Sequence, residues 1–225
     1  MTSAVIFDMD GVLIDSQPLH YEIDMRVLKA CGYPAQLSTV VPYTGVSNPD
    51  RWPKYKETLE LSQSVEELIE MAEQTMRDVF NAAEIKPIPG IPELLDGISV
   101  LGIRCGVASS SSHELIKMVL ERTGLAKNFA FIVSGEDVSE GKPSPDIYIK
   151  ASEKAGLSPK VCIAIEDAPS GIASAKNAGL CCIAYRNPNT LGQEFDRADY
   201  VVNKFDECFP IIKTLFFKSM TGSLA

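Results

Sequence analysis

The sequence predicts an α/β protein: a doubly wound parallel-sheet core with an inserted, all-helical cap. Three observations carry that prediction. Short apolar runs recur along the chain and alternate with segments of helical length, the pattern of βαβ units and of a parallel sheet covered on both faces. Residues 16–86 break the alternation and show helical patterning alone. The length of 225 residues exceeds the roughly 150 of a typical domain and leaves room for a smaller second one.

Taken in order, Ala4-Val5-Ile6-Phe7 is an apolar run ended by a carboxylate and then Gly11, a buried strand entering a loop. Similar runs follow at Cys105 to Ala108, Ala130 to Val133, Val161 to Ile165 and Cys181 to Tyr185. Within the insert, a helix is expected from Leu19 to Ala30 with Ile23, Val27 and Leu28 inward. Ser64-x-x-Glu67 caps another, whose Val65, Leu68, Ile69, Ala72, Met76, Val79 and Phe80 form one stripe. Lys86-Pro87-Ile88-Pro89-Gly90 reads as the return linker. After it, Ser111-x-x-Glu114 reads as a capping box, Ser144-Pro145 as a helix start, and Asp167-Ala168-Pro169 as another that runs to Gly179. The division expected is 1–15 plus 87–218 as core, 16–86 as cap, and 219–225 as an unstructured tail.

Composition narrows the class. Hydrophobic residues at 45% and charged residues at 23% suit a globular core rather than disorder. No apolar run approaches the roughly 18 residues of a membrane span, and acids stand where a signal peptide would be apolar. A net charge of −9 argues against a nucleic-acid or anionic-membrane partner. The expectation is a cytoplasmic monomer whose partner is a small molecule. Six cysteines without CxxC spacing read as reduced and mostly buried, with Cys181-Cys182 as strand core. His20 and His113 are too few for a histidine-rich metal site.

In an open parallel sheet, ligands bind beyond the carboxyl ends of the strands, so the polar residues that end the strands are the candidates. Asp8 and Asp10 follow the first run, and Ser109, Ser110 and Ser111 the second. Lys142 follows the third after a loop, and Glu166 and Asp167 follow the fourth. Each alone has a plainer reading: a turn former before Gly11, a helix start, a solvated lysine, an N-cap. Their coincidence at successive strand ends favours a site. Carboxylates this dense stay ionised only with a cation among them, and oxygen ligands without histidine or thiolate favour Mg²⁺. Lys142 adds a positive charge for an anion, while Ser109 and the N–H groups at the next helix start suit phosphate oxygens. An aspartate is already ionised at neutral pH and can attack phosphorus directly, and a second acid two residues on can serve the leaving oxygen. Phosphoryl transfer, with a small phosphorylated metabolite as partner, is the chemistry these residues suit.

The same residues carry a resemblance. Asp8-Met9-Asp10-Gly11-Val12-Leu13-Ile14-Asp15-Ser16 resembles the first motif of the haloacid dehalogenase superfamily, and Val107-Ala108-Ser109-Ser110-Ser111 its second. Gly141-Lys142-Pro143-Ser144-Pro145-Asp146 resembles the third, and Ile165-Glu166-Asp167-Ala168-Pro169-Ser170-Gly171 the fourth, all in family order. The helical insert is similar to the cap of the subgroup holding β-phosphoglucomutase and small sugar phosphatases. The resemblance implies a Rossmann-like core, Asp8 as a nucleophile that becomes an aspartyl phosphate, and Asp10 as general acid/base. It implies Mg²⁺ held by Asp8, the Asp10 carbonyl and Asp167, with Glu166 direct or through water, and Ser109 and Lys142 on the phosphoryl group. It also implies hinges at Asp15-Ser16 and Lys86 to Gly90.

Within the subgroup, His20 and Thr44-Gly45-Val46-Ser47 resemble elements of the mutases, and His20 equally suits a surface histidine. A mutase must anchor a second phosphate with fixed cations. The mutases carry a lysine, an arginine and another lysine where this chain has Thr44, Asn48 and Ser112; Arg51 is near enough to replace one. The phosphatase reading is therefore favoured over a β-phosphoglucomutase exchanging β-glucose 1-phosphate and glucose 6-phosphate. Non-enzymatic readings are a phosphometabolite-binding or phospho-accepting regulatory protein. Intact Asp8 and Asp10 argue against the first, and chain length and the insert against a receiver domain. Tyr43, Trp52 and Lys54 join the cap residues as specificity candidates by position.

Overall fold

The computed structural model of the chain describes residues 3–44, 46–190 and 193–220. Six parallel strands form one sheet: β1 (Ala4–Phe7), β2 (Arg104–Ser109), β3 (Phe129–Ser134), β4 (Cys162–Glu166), β5 (Cys181–Tyr185) and β6 (Tyr200–Val202), in the order β3-β2-β1-β4-β5-β6. All four residues of β1 are fully buried, which is why its run carries no polar alternation. Val5 and Phe7 point into one apolar layer, and Ala4 and Ile6 into the other.

The first layer is closed by helices that the crossover connections place on one face: α5 (Ile91–Val100), α6 (His113–Arg122) and α9 (Cys208–Met220). The second is closed by α7 (Asp146–Ala155) and α8 (Pro169–Ala178), with Tyr148 fully buried under the sheet. Between β1 and α5 lies the cap: α1 (Gln17–Ala30), α2 (Leu37–Val40), α3 (Asn48–Leu59) and α4 (Val65–Ala82). Its own core centres on Trp52, Tyr55, Leu68 and Ala72, while Ile23, Val79 and Phe80 reach down into the first layer beneath the sheet. Among the described residues, no helix is long and apolar enough to cross a membrane. The six cysteines are unpaired thiols, Cys182 fully buried in β5 and Cys181 half-buried.

Local details correct the sequence reading. The N-cap of α6 is Ser112, whose hydroxyl accepts from the Leu115 N–H, rather than Ser111; Ser111 turns instead toward Asp10. Helix α7 starts one residue later than Ser144-Pro145 suggested, with Pro145 at the cap position. Asp167 does not cap α8; that position falls to Ala168, leaving the carboxylate for other partners. The edge strand β6 was missed because it has three residues, two of them exposed, and so shows no apolar run. Ser219 and Met220 belong to α9, whereas 221–225 lie outside the described residues.

Cap and core meet at a pair of linkers. Ile14 and Pro87 form an antiparallel bridge, and the Ile88 N–H donates to the Leu13 carbonyl at 2.9 Å. A second tie comes from α6: the Arg122 guanidinium donates to the carbonyls of Phe80 and Ala83 at 2.6 and 2.7 Å, capping the C-terminal end of α4. Cations at a helix C-terminus satisfy orphan carbonyls and complement the dipole. Arg122→Ala should therefore cost about 1–2 kcal/mol. Urea unfolding followed through the single tryptophan, Trp52 of the cap, should show a lower midpoint; an unchanged midpoint would remove Arg122 from the account.

Candidate active site

The strand order reverses between β1 and β4, and the carboxyl ends of these neighbours open one crevice. The Asp8 N–H bonds the Ile165 carbonyl at 3.0 Å, so strand register sets the first aspartate beside the Glu166-Asp167 pair. The chain then turns tightly, with Leu13 and Ile14 N–H groups both donating to the Met9 carbonyl. The turn needs glycine at position 11: its φ is +82°, and a Cβ there would stand 2.1 Å from Asp167 Oδ2.

One buried ammonium ties three elements together. Lys142 Nζ donates to Asp8 Oδ1 at 2.7 Å, to Glu166 Oε1 at 2.6 Å and to the Ala108 carbonyl at 3.2 Å, which uses all three of its N–H groups. Burial works against its charge, but Asp8 and Glu166 overcome that and raise its pKa. The Tyr148 hydroxyl donates to the same Glu166 oxygen at 2.6 Å, with the Lys142 ammonium over its ring. Gly171 lets α8 approach this carboxylate, since a Cβ there would fall 2.1 Å from Glu166 Oε1.

The two aspartates of the first motif sit in opposite settings. Burial pushes the Asp8 carboxyl well up, with Glu166, Asp10 and Asp167 acting the same way and Lys142 against. Burial also opposes ionisation of Asp10, yet His20, Ser16 and Ser111 more than offset it and hold that carboxyl low. His20 Nε2 lies 3.0 Å from Asp10 Oδ1, which also accepts from the Ser16 hydroxyl at 2.6 Å. Ser111 donates to Asp10 Oδ2 at 3.0 Å, with Ser109 farther off at 3.4 Å. The choice left open for His20 is thereby answered geometrically: it is a half-buried partner of Asp10.

Asp8, Glu166 and Asp167 offer carboxylate oxygens that lie within 4.8 Å of one another. Asp167 is fully buried; Oδ2 accepts from Thr190 at 2.7 Å, and Oδ1 has no hydrogen-bond partner among the described residues. Burial pushes its carboxyl up to about 8. A carboxyl oxygen left without a partner, among further carboxylates that resist ionisation together, is the environment a hard divalent cation fits.

The remaining candidates divide. Ser109 is fully buried and accepts from the Ser111 N–H at 3.1 Å, while Ser110 lines the cavity above. That cavity, about 1390 Å³, is walled on the cap side by His20, Tyr43, Thr44, Val46, Ser47, Asn48, Arg51 and Lys54. Gly45 lies outside the described residues. Trp52 is fully buried in the cap core and does not face the cavity. Arg51 is tied to Asp24 and Asn48 rather than standing free as a replacement anchor. Sequence reasoning missed Thr190, Asn187 and Gln193, whose side chains bond Asp167 Oδ2, the Gly11 carbonyl and the Asp167 carbonyl. They follow the end of β5, so the strand-end rule applied once more would have reached them. Tyr148 was missed because it reads as an ordinary core aromatic.

An α/β enzyme with its site at the sheet's reversal point and a helical cap above it is the class these features define. The family of haloacid dehalogenase-like hydrolases matches residues 5–185, and the chain belongs to it. It is 34% identical to the phosphorylated carbohydrates phosphatase of Thermotoga maritima over 79% of this chain and 82% of that one. It is 30% identical to hexitol phosphatase B of Escherichia coli K12, covering 91% and 93%. The crystal structure of β-phosphoglucomutase from Clostridium difficile is similar at a TM-score of 0.81 and 25% identity, covering 98% of this chain and all of that one.

A pH dependence follows from Asp167. Without metal, its carboxyl keeps a proton in the folded state up to about 8, whereas the unfolded chain releases it near 3.8. Between those values the folded state binds the extra proton, so stability falls as pH rises. In EDTA the melting temperature should drop from pH 5 to pH 8, and Mg²⁺ should restore it more at pH 8. A metal-free melting temperature that climbs over this range would contradict the assignment.

Proposed function

We propose that the chain is a Mg²⁺-dependent phosphatase acting on a small phosphorylated metabolite, a sugar phosphate, through an aspartyl phosphate on Asp8. The observation that carries this reading is the Asp8 carboxylate at the end of β1, 2.7 Å from Lys142 and grouped with Glu166 and Asp167. Asp8, Asp167 and the Asp10 carbonyl, with Glu166 direct or through water, would hold magnesium, which would supply the positive charge that lets phosphoryl oxygens approach these carboxylates.

Asp8 attacks phosphorus, the bond from phosphorus to the ester oxygen breaks, and Asp10 gives that oxygen a proton. Held low by its neighbours, Asp10 first takes that proton up from solvent, with His20 Nε2 standing 3.0 Å from its carboxylate. In the second half Asp10 takes a proton from water, the resulting oxygen attacks phosphorus, and the bond to Asp8 breaks to release phosphate. Lys142 offsets the charge on the phosphoryl oxygens, and Ser109, Ser110 and the N–H groups opening α6 bind them. The cap meets the core across the site: a Cβ on Gly141 would lie 3.8 Å from Ser47 Oγ and 3.9 Å from Asp50 Oδ2. Such a lid keeps bulk water from the first step, and hinging at Asp15-Ser16 and 86–90 lets substrate in and product out.

The likeness to β-phosphoglucomutase favours a second reading, phosphate transfer within one sugar. Against it, Thr44, Asn48 and Ser112 supply no charge, and Arg51 is already paired. The experiment is phosphate release with Mg²⁺ from sugar and polyol monophosphates, including β-glucose 1-phosphate. Asp8→Asn should lower turnover at least about 10³-fold, and Asp10→Asn about 10²–10⁴-fold. Conversion of β-glucose 1-phosphate to glucose 6-phosphate with little free phosphate would establish the mutase instead.

A further inference from the structure

We infer that a buried ion pair in the cap, Asp24 on α1 with Arg51 on α3, reads the part of the substrate remote from the transferring phosphate and selects hydroxyl groups over a second phosphate. The inference rests on the phosphatase reading above and names the substrate class for that site.

Both residues line the cavity, yet Asp24 is only 2% exposed and Arg51 only 7%. Arg51 Nη2 lies 3.2 Å from Asp24 Oδ1 and donates to Asn48 Oδ1 at 2.5 Å. The Tyr55 hydroxyl donates to Asp24 Oδ2 at 2.9 Å. The set leaves hydrogen-bonding capacity unfilled: among the described residues Arg51 Nε has no hydrogen-bond partner, and Asp24 Oδ1 has only its ion-pair contact with Arg51. A buried ion pair is a poor way to stabilise a small helical core, because desolvation rivals the attraction gained. Placed at the wall of a ligand cavity with unfilled polar atoms, the pair is suited to recognition.

Its chemistry is selective. The guanidinium charge is neutralised by the carboxylate beside it, so the pair offers a donor and an acceptor with little net field. A hydroxyl can accept from the guanidinium and donate to the carboxylate at once. A phosphate dianion only accepts, and Asp24 repels it. The rest of the wall is acidic on balance, with nine further Asp and Glu side chains against three further Lys and Arg. Of those three, Lys142 is committed to Asp8 and Glu166, while Lys54 and Arg77 are exposed and screened by solvent, as are Asp50, Glu73, Glu114, Glu136 and Glu140. The ligand expected is a polyol or sugar monophosphate, its hydroxyls against α1 and α3.

The test measures inhibition constants of glucose 6-phosphate and glucose 1,6-bisphosphate against hydrolysis of para-nitrophenyl phosphate in Mg²⁺. Binding is read in parallel from Trp52 fluorescence, since Arg51 sits 5.9 Å from that ring. The wild type should bind the bisphosphate no tighter than the monophosphate. Asp24→Asn uncovers the guanidinium charge and should shift the preference at least tenfold toward the bisphosphate. The neutral double variant Asp24→Asn with Arg51→Gln should lose that shift and weaken monophosphate binding at least fivefold; it also serves if the single variant unfolds, which Trp52 emission would report. Tenfold tighter binding of the bisphosphate by wild type, or an unchanged preference in the folded single variant, would overturn the inference. So would unchanged monophosphate binding in the double variant. Absence of any hydrolysis by wild type sinks the phosphatase reading alone, because fluorescence still measures the selectivity.

Discussion

Four carboxylates converge at the edge of this sheet, and the Lys142 ammonium is what allows them to be packed there. It bonds Asp8, Glu166 and the Ala108 carbonyl, so that β1, β2 and β4 are referred to a single buried charge. Breaking a buried pair of this kind by removing one partner costs about 3–5 kcal/mol, because the remaining charge is left uncompensated. Tyr148 and Gly171 belong to the same constraint, one by filling a second bond to Glu166 and the other by leaving room for its carboxylate. The loop that delivers Lys142, with its cis Lys142–Pro143 peptide, is thus a structural part of the sheet edge as much as a wall of the cavity.

One lysine does not balance four acids, and the imbalance is distributed unevenly. Asp8 and Asp167 are pushed toward protonation by burial, whereas Asp10, two residues from Asp8, is held low by His20, Ser16 and Ser111. Neighbouring acids driven in opposite directions are suited to different tasks. Asp8 and Asp167 form a setting that suits a cation; Asp10 has a histidine and two serines around its carboxylate instead. Both environments come from the same short turn, which sends Asp8 toward β4 and Asp10 toward α1 and the serines after β2.

The cap supplies the other wall and one half of the Asp10 environment. Because His20 and Ser16 belong to the start of the insert, the bonding of Asp10 depends on how the cap docks on the sheet. Opposite them, Arg51 is braced by Asp24 and Asn48, and Asp24 in turn accepts from the Tyr55 hydroxyl.

Much of this was legible from the residues in order. Five of the six strands announce themselves as apolar runs because strands buried on both faces need no polar alternation, and the insert shows itself by the loss of that pattern. Asp8, Asp10, Lys142, Glu166 and Asp167 were reachable because a parallel sheet sends all its carboxyl ends to one edge, so sequence position after a strand becomes spatial proximity. What tertiary structure alone decided is which side chain meets which. Tyr148 looks like any core aromatic until Glu166 is found beneath it, and Asp24 and Arg51 stand 27 positions apart, on helices whose packing no periodicity specifies. His20 was undecided for the same reason: a helix pattern gives the face a residue occupies, whereas the partner on that face is set by how the cap docks on the sheet.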